Sequence, residues 1–92
     1  KNSQILLDGD TLRFPLVLRK WQKGDFFYPT GMQGKKRISK YFKDQKYTTL
    51  AKANQWLLTS NGLVVWVVGQ RCDRRFTANE KTTQKLLISV LE

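Results

Sequence analysis

The feature that most constrains this chain is the apolar run Leu63-Val64-Val65-Trp66-Val67-Val68, closed by Gly62 and Gly69. β-Branched residues dominate it and both of its faces are apolar, the pattern of a strand buried on two sides. It is expected to be the central strand. Ahead of it, Gln55 to Thr59 reads as a partner strand, and the intervening Ser60-Asn61-Gly62 carries the Asn-Gly pair that favours tight hairpins. The run is far too short to cross a bilayer, and the N-terminus lacks the charged, apolar and small-residue regions of a secretion signal. A chain of 92 residues built around such a hairpin is expected to form one domain, 1–92. At that size it can bury about 60–70% of its unfolded surface, enough for a modest core.

Gln4 to Trp21 reads mostly as strand. Ile5 to Leu7 form one apolar piece, Asp8-Gly9-Asp10 a turn, and Phe14 to Trp21 a second piece whose Pro15 belongs before the ladder proper or at a sheet edge. Gln22 to Gly34 is a loop punctuated by Gly24, Pro29, Gly31 and Gly34, yet it holds Phe26, Phe27 and Tyr28, unusual cargo for a solvated connection. Lys35 to Lys46 is the clearest helix. Ile38, Tyr41, Phe42 and Gln45 fall on one inward face, with Lys36, Lys40 and Lys43 on the neighbouring stripe. Thr48 or Thr49 is placed to cap a second short helix through Asn54. Gly69 to Phe76 is a basic loop, and Thr82 to Leu91 fits a strand better than a helix. The fold class is therefore mixed and β-rich (α+β).

Seventeen Lys and Arg against seven Asp and Glu leave a formal charge of +10, which attracts polyanions at long range. Charge alone does not choose among nucleic acid, anionic lipid and an acidic protein, although nucleic acid leads. Eleven aromatics and 40% hydrophobic residues argue for a folded globule over a disordered basic tail. The single cysteine, Cys72, excludes an internal disulfide, and without histidine the usual zinc sets cannot be assembled. A reducing, cytoplasmic setting with no metal is the simplest expectation. Catalysis is disfavoured too, because no histidine serves acid–base work and no Cys–His pair exists. Asp8 and Asp10 sit in Leu-Asp-Gly-Asp-Thr, which is turn chemistry. Gly31-Met32-Gln33-Gly34-Lys35-Lys36 has too few residues between its glycines for a phosphate-binding P-loop and lacks the metal-binding hydroxyl.

As a passive anion site the same stretch is more promising. Gly31 and Gly34 let backbone amides approach an oxyanion where a helix is expected to start. Lys35, Lys36 and Arg37 then crowd the end of a helix whose dipole disfavours each by about 0.3–1 kcal/mol. That placement argues for a ligand over a merely solvated face. A KH-type clamp would need a helix before the glycines, where Phe26 to Pro29 stand. Arg71, Arg74 and Arg75 form a second cluster suited to bidentate phosphate contacts, unless Asp73 pairs with one of them to pin the loop. Arg19, Lys20 and Lys23 form a third near Trp21. Among the aromatics, Trp66 belongs in the core, whereas Trp21 and Tyr28 are candidates for stacking on bases.

Lys20-Trp21-Gln22-Lys23-Gly24-Asp25, Tyr28-Pro29-Thr30-Gly31-Met32 and Gly34-Lys35-Lys36-Arg37-Ile38-Ser39-Lys40-Tyr41-Phe42-Lys43-Asp44 together resemble the C-terminal domain of the tRNA(Ile)-lysidine synthetase family. Val64-Val65-Trp66-Val67-Val68-Gly69-Gln70-Arg71, followed by Asp73 and Phe76, continues the likeness, which runs in order over nearly the whole chain. Departures are small: Phe27 at a place often basic, Lys40 where Asp is common, and Cys72 for an aliphatic residue. The resemblance implies a barrel-like β module similar to one in the phenylalanyl-tRNA synthetase β-subunit. It implies a parent enzyme that uses ATP to join lysine to the wobble cytidine of an isoleucine tRNA. That chemistry belongs to an N-terminal domain with an S-G-G-x-D-S loop, a motif not present here, so this domain is expected to need no cofactor and to hold tRNA near its acceptor end. A first residue other than methionine agrees with a fragment of such an enzyme. Lys35, Lys36, Arg37, Lys40 and Lys43 are the leading phosphate contacts, with Arg71, Arg74 and Arg75 next. The competing expectation is a protein-interaction or homodimerisation module with an incidental basic face.

Overall fold

A computed structural model describes residues 3–91 of the chain. Among the described residues, three small antiparallel sheets and two short helices pack about a hairpin with a register shift between Leu58 and Thr59. β1 (Gln4–Asp8) pairs with β7 (Lys85–Ser89); β2 (Leu16–Lys20), β5 (Trp56–Ser60) and β6 (Leu63–Val67) form a second sheet in the order β2-β5-β6; β3 (Phe26–Phe27) pairs with β4 (Lys36–Arg37). The β-rich α+β expectation holds, and the C-terminal segment is a strand. The sheets do not join into a closed barrel.

Local chemistry explains most boundaries. Asn61 and Gly62 both take positive φ, 51° and 80°, as the tight turn between β5 and β6 requires. Asp8 turns the chain by accepting the Asp10 amide on its carboxylate, and a short 3-10 turn, Gly9–Thr11, follows. β2 begins just after Pro15, outside the ladder as expected. Thr48 caps α2 (Thr49–Asn54), its hydroxyl accepting the Ala51 amide at 3.0 Å.

Two cores share the β5–β6 hairpin. Leu58, Val65 and Trp66 face a core with Ile5, Leu7, Leu12 and Phe76. Leu57, Val64 and Val67 face another with Phe27, Ile38, Tyr41 and Phe42. This is why β6 is apolar on both sides. Its expected place at the centre of the ladder needs correction, however: β5 is the middle strand. The outer edge of β6 is taken instead by the chain folding back after Gly69. The Val67 amide donates to the Arg71 carbonyl (2.9 Å), and the Asp73 amide to that of Val65 (2.7 Å).

The first helix is shorter than the expected Lys35–Lys46. α1 spans Ile38–Asp44, and Lys36 and Arg37 before it are extended, paired with Phe27 and Phe26. Phe27 is fully buried, and holding it there gives these backbone groups a ladder to complete. The Ile38 amide then donates to the Asp25 carbonyl (2.9 Å), fixing where the helix starts. Periodicity was sound for Ile38, Tyr41 and Phe42, while residues 35 to 37 supplied only charge. Gln45 is not part of the inward face; it is an exposed C-cap. The helix closes in a Schellman arrangement, with Lys46 at φ 58° and amides of Lys46 and Tyr47 donating to the Lys43 and Phe42 carbonyls. Tyr47 stacks on Phe42 at 4.5 Å, the apolar contact that accompanies this motif.

Candidate functional site

Lys35, Lys36, Arg37 and Lys40 come together around an open cleft of about 460 Å³, lined also by Pro29, Met32 and Gln33. β4 and the first turn of α1 present these cations, and the loop from Pro29 to Gly34 forms the other wall. Lys43, one turn further along α1, does not line the cleft. Asp44 sits at the foot of this group, binding Lys36 at 2.6 Å and Lys40 at 3.2 Å. Hydrogen bonds from Lys36 and Lys40 lower its carboxyl pKa, so it stays ionised and offsets part of their charge. Lys35 lies over the Phe26 ring, 4.7 Å from the centroid.

The second cluster is built on Asp73, which is fully buried. Its carboxylate accepts the Tyr28 amide (2.9 Å) and the Arg75 amide (2.7 Å), and pairs with the Arg75 guanidinium at 2.8 Å. The Arg74 amide donates to the Tyr28 carbonyl and the Thr30 amide to the Cys72 carbonyl, so the 71–76 loop is laced to the 28–34 loop. Of the three arginines, Arg75 is therefore committed to an internal ion pair, the pinning role foreseen for one of them. Arg71 donates to the Thr30 carbonyl at 2.7 Å and adjoins Tyr41, whose hydroxyl pKa burial raises against the opposing pull of Arg71. Arg74 reaches the Met32 and Gly34 carbonyls at 3.3 and 3.4 Å while its head stays exposed.

That last contact joins what the sequence keeps forty residues apart. Arg74 stands against the loop that leads into Lys35, so the two basic clusters form one continuous face. Sequence reading named both clusters and had no means of joining them. In the sequence Asp73 reads only as a partner for one arginine; folded, its buried carboxylate also ties the two loops together.

Gly31 and Gly34 do not stand at a helix start, since β4 intervenes. Both adopt positive φ, and a Cβ on Gly31 would lie 3.3 Å from Arg71 Nη1. Their immediate role is a tight loop whose carbonyls face arginines. Trp21 packs edge-on against Phe42 at 5.3 Å, at the margin of the second core. The Tyr28 ring is covered by Arg75 at 4.4 Å and Arg74 at 5.1 Å. The third basic group is partly spent as well: Arg19 forms a two-point pair with Asp25, and Lys20 donates to the Ala53 carbonyl and covers Trp56. Among the described residues, no group of three or more Asp, Glu, Cys or His side chains is placed to hold a metal, and no helix is long and apolar enough to cross a membrane.

Residues 16–88 match the family described as the TilS substrate C-terminal domain. The chain belongs to that family. It is 48% identical over 92 residues to the tRNA(Ile)-lysidine synthase of Parabacteroides distasonis, covering 99% of this chain and 21% of that protein. The corresponding synthase of Bacteroides thetaiotaomicron is 39% identical over 84 residues, covering 91% of this chain and 20% of that protein. The chain thus spans about a fifth of these relatives. A crystal structure of a TilS C-terminal domain superposes with a TM-score of 0.79 at 21% identity, covering 94% of this chain and 66% of that one, a likeness of fold. Both loops of the basic face fall within the matched residues.

Proposed function

We propose that this domain is the tRNA-holding module of a tRNA(Ile)-lysidine synthase and performs no chemistry itself. The observation that carries the reading is the merging of two basic clusters into one face, through the contact of Arg74 with the Gly34 carbonyl. Lys35, Arg37 and Arg74 head it, since their charges meet no carboxylate within salt-bridge distance among the described residues. Lys36 and Lys40 add to it less, because they share Asp44. Such a face suits the closely spaced phosphates of an RNA duplex and reads little sequence, so the acceptor end of the tRNA is a fitting address. Joining lysine to the wobble cytidine, with its need for ATP, falls to the rest of the parent enzyme, in the cytoplasm. Trp21 and Tyr28 already have partners within the fold, so we assign the binding energy to phosphate contacts before base stacking.

Affinity for tRNA measured against salt tests this. Neutralising four to six phosphates gives log K against log salt a slope of about −4 to −5. Charge reversal at Lys35 and Arg37 should make the slope shallower by roughly 1 per lost contact. A slope near zero, or unchanged affinity in the double reversal, would sink the reading.

A further inference from the structure

The first core is open at one end. Between the β2-β5-β6 sheet and β7 lies an apolar groove of about 270 Å³. Leu18, Trp56, Ile88 and Val90 stand at its rim, with buried Leu58 and Trp66 at its floor. Leu18 and Trp56 are 57% and 46% exposed, large apolar areas for a domain this charged. Among the described residues no charged side chain lines the groove itself; Lys20 lies over the Trp56 ring at its margin, 4.0 Å from the centroid.

We propose that this groove seats an apolar segment from the upstream part of a full-length synthase. Three observations select this occupant. The chain spans only about a fifth of its curated relatives, so most of a synthase's polypeptide lies outside it. The described fold begins at the groove: the Ser3 carbonyl accepts the Val90 amide at 2.7 Å, and Val90 is on the rim. Upstream polypeptide joined near Ser3 therefore reaches the groove without a long linker, at the high effective concentration of a tethered partner. Finally, the basic face occupies other residues altogether, so groove and cleft can be filled together.

Val17 and Leu18 provide the test, because they are neighbours on edge strand β2 with side chains on opposite faces, both about half exposed. Val17→Cys and Leu18→Cys are placed separately in a full-length synthase with Cys72→Ala, and in the 92-residue chain. Maleimide labelling of each cysteine is followed by peptide mass spectrometry. In the full-length enzyme Cys labelling at position 18 should be at least about tenfold slower than at 17, the mark of a groove covered more than about 90% of the time. In the 92-residue chain the two rates should be similar. Equal rates in the full-length enzyme overturn the proposal. So does protection at 18 that vanishes on dilution and also appears in the 92-residue chain, since the occupant would then be a second copy. Equal protection of 17 and 18 overturns it too, because the whole edge strand would then be covered.

Discussion

Asp73 shows how much one side chain can organise. Fully buried, it satisfies two backbone amides and a guanidinium, tying the 28–34 loop to the 71–76 loop. Asp73→Ala strands the two amides, and leaving buried donors unpaired costs about 1–3 kcal/mol each. We expect a loss of at least about 2 kcal/mol in urea unfolding, whereas truncation of the exposed Arg74 should cost under about 1 kcal/mol and weaken tRNA binding instead. Asp25 gives a pH signature. Burial pushes its carboxyl pKa up, but the Arg19 hydrogen bond, the Gln22 amide and the Arg19 charge together bring it below the usual value. A folded pKa lower than the unfolded one adds stability above the unfolded value, about 3.9 for Asp, and loses it as pH falls through the folded value. Thermal stability should therefore drop on acidification below about pH 4, and Asp25→Asn should flatten that acid limb; an unchanged limb would count against the assignment.

At the scale of elements, the join between β4 and α1 matters most for the site. Sheet pairing holds residues 36 and 37 extended, so their side chains project at the cleft mouth rather than spiralling around a helix. The α1 terminus carries a local conflict. Lys46 occupies a left-handed conformation, φ 58°, which costs an ordinary residue roughly 1–2 kcal/mol. Glycine escapes that cost and loses part of the gain to its freer unfolded chain. Lys46→Gly should thus stabilise the protein by about 0.5–1 kcal/mol in chemical denaturation, without touching the cleft. A destabilised variant would mean that the lysine side chain holds the Schellman turn in place.

Over the whole molecule, the hairpin β5–β6 serves both cores, so neither can be dismantled alone. Leu57 is fully buried in the second core, and its replacement by Ala should cost about 2–5 kcal/mol. Because Leu58, next to it, faces the first core, the loss should appear as one transition. Circular dichroism and tryptophan fluorescence should report coincident midpoints. Separate midpoints would show that the cores unfold independently. Charge works at the same scale: an excess of +10 on so small a body gives long-range attraction whose strength falls with salt.

Sequence by itself determined what depends on near neighbours: the Asn61-Gly62 turn, the Thr48 cap, the Asp8 turn and the burial of Trp66. It also carried the family likeness, which rests on ordered motifs. Helix periodicity placed Ile38, Tyr41 and Phe42 correctly and overran at both ends: Lys36 and Arg37 pair with Phe27 and Phe26, a pairing that no helical pattern encodes, and the left-handed turn at Lys46 closes the other end. Likewise, an apolar strand announces that both faces are covered without saying by what; here two cores cover it while a returning loop takes its edge. The Arg75–Asp73 pair is local, two residues apart, and folding added to it the burial of the carboxylate. Only the tertiary structure brought Arg74 against the loop leading to Lys35 and left a groove above Trp66. Both join segments some twenty or more residues apart, and chain folding, not local preference, chooses which such contacts form.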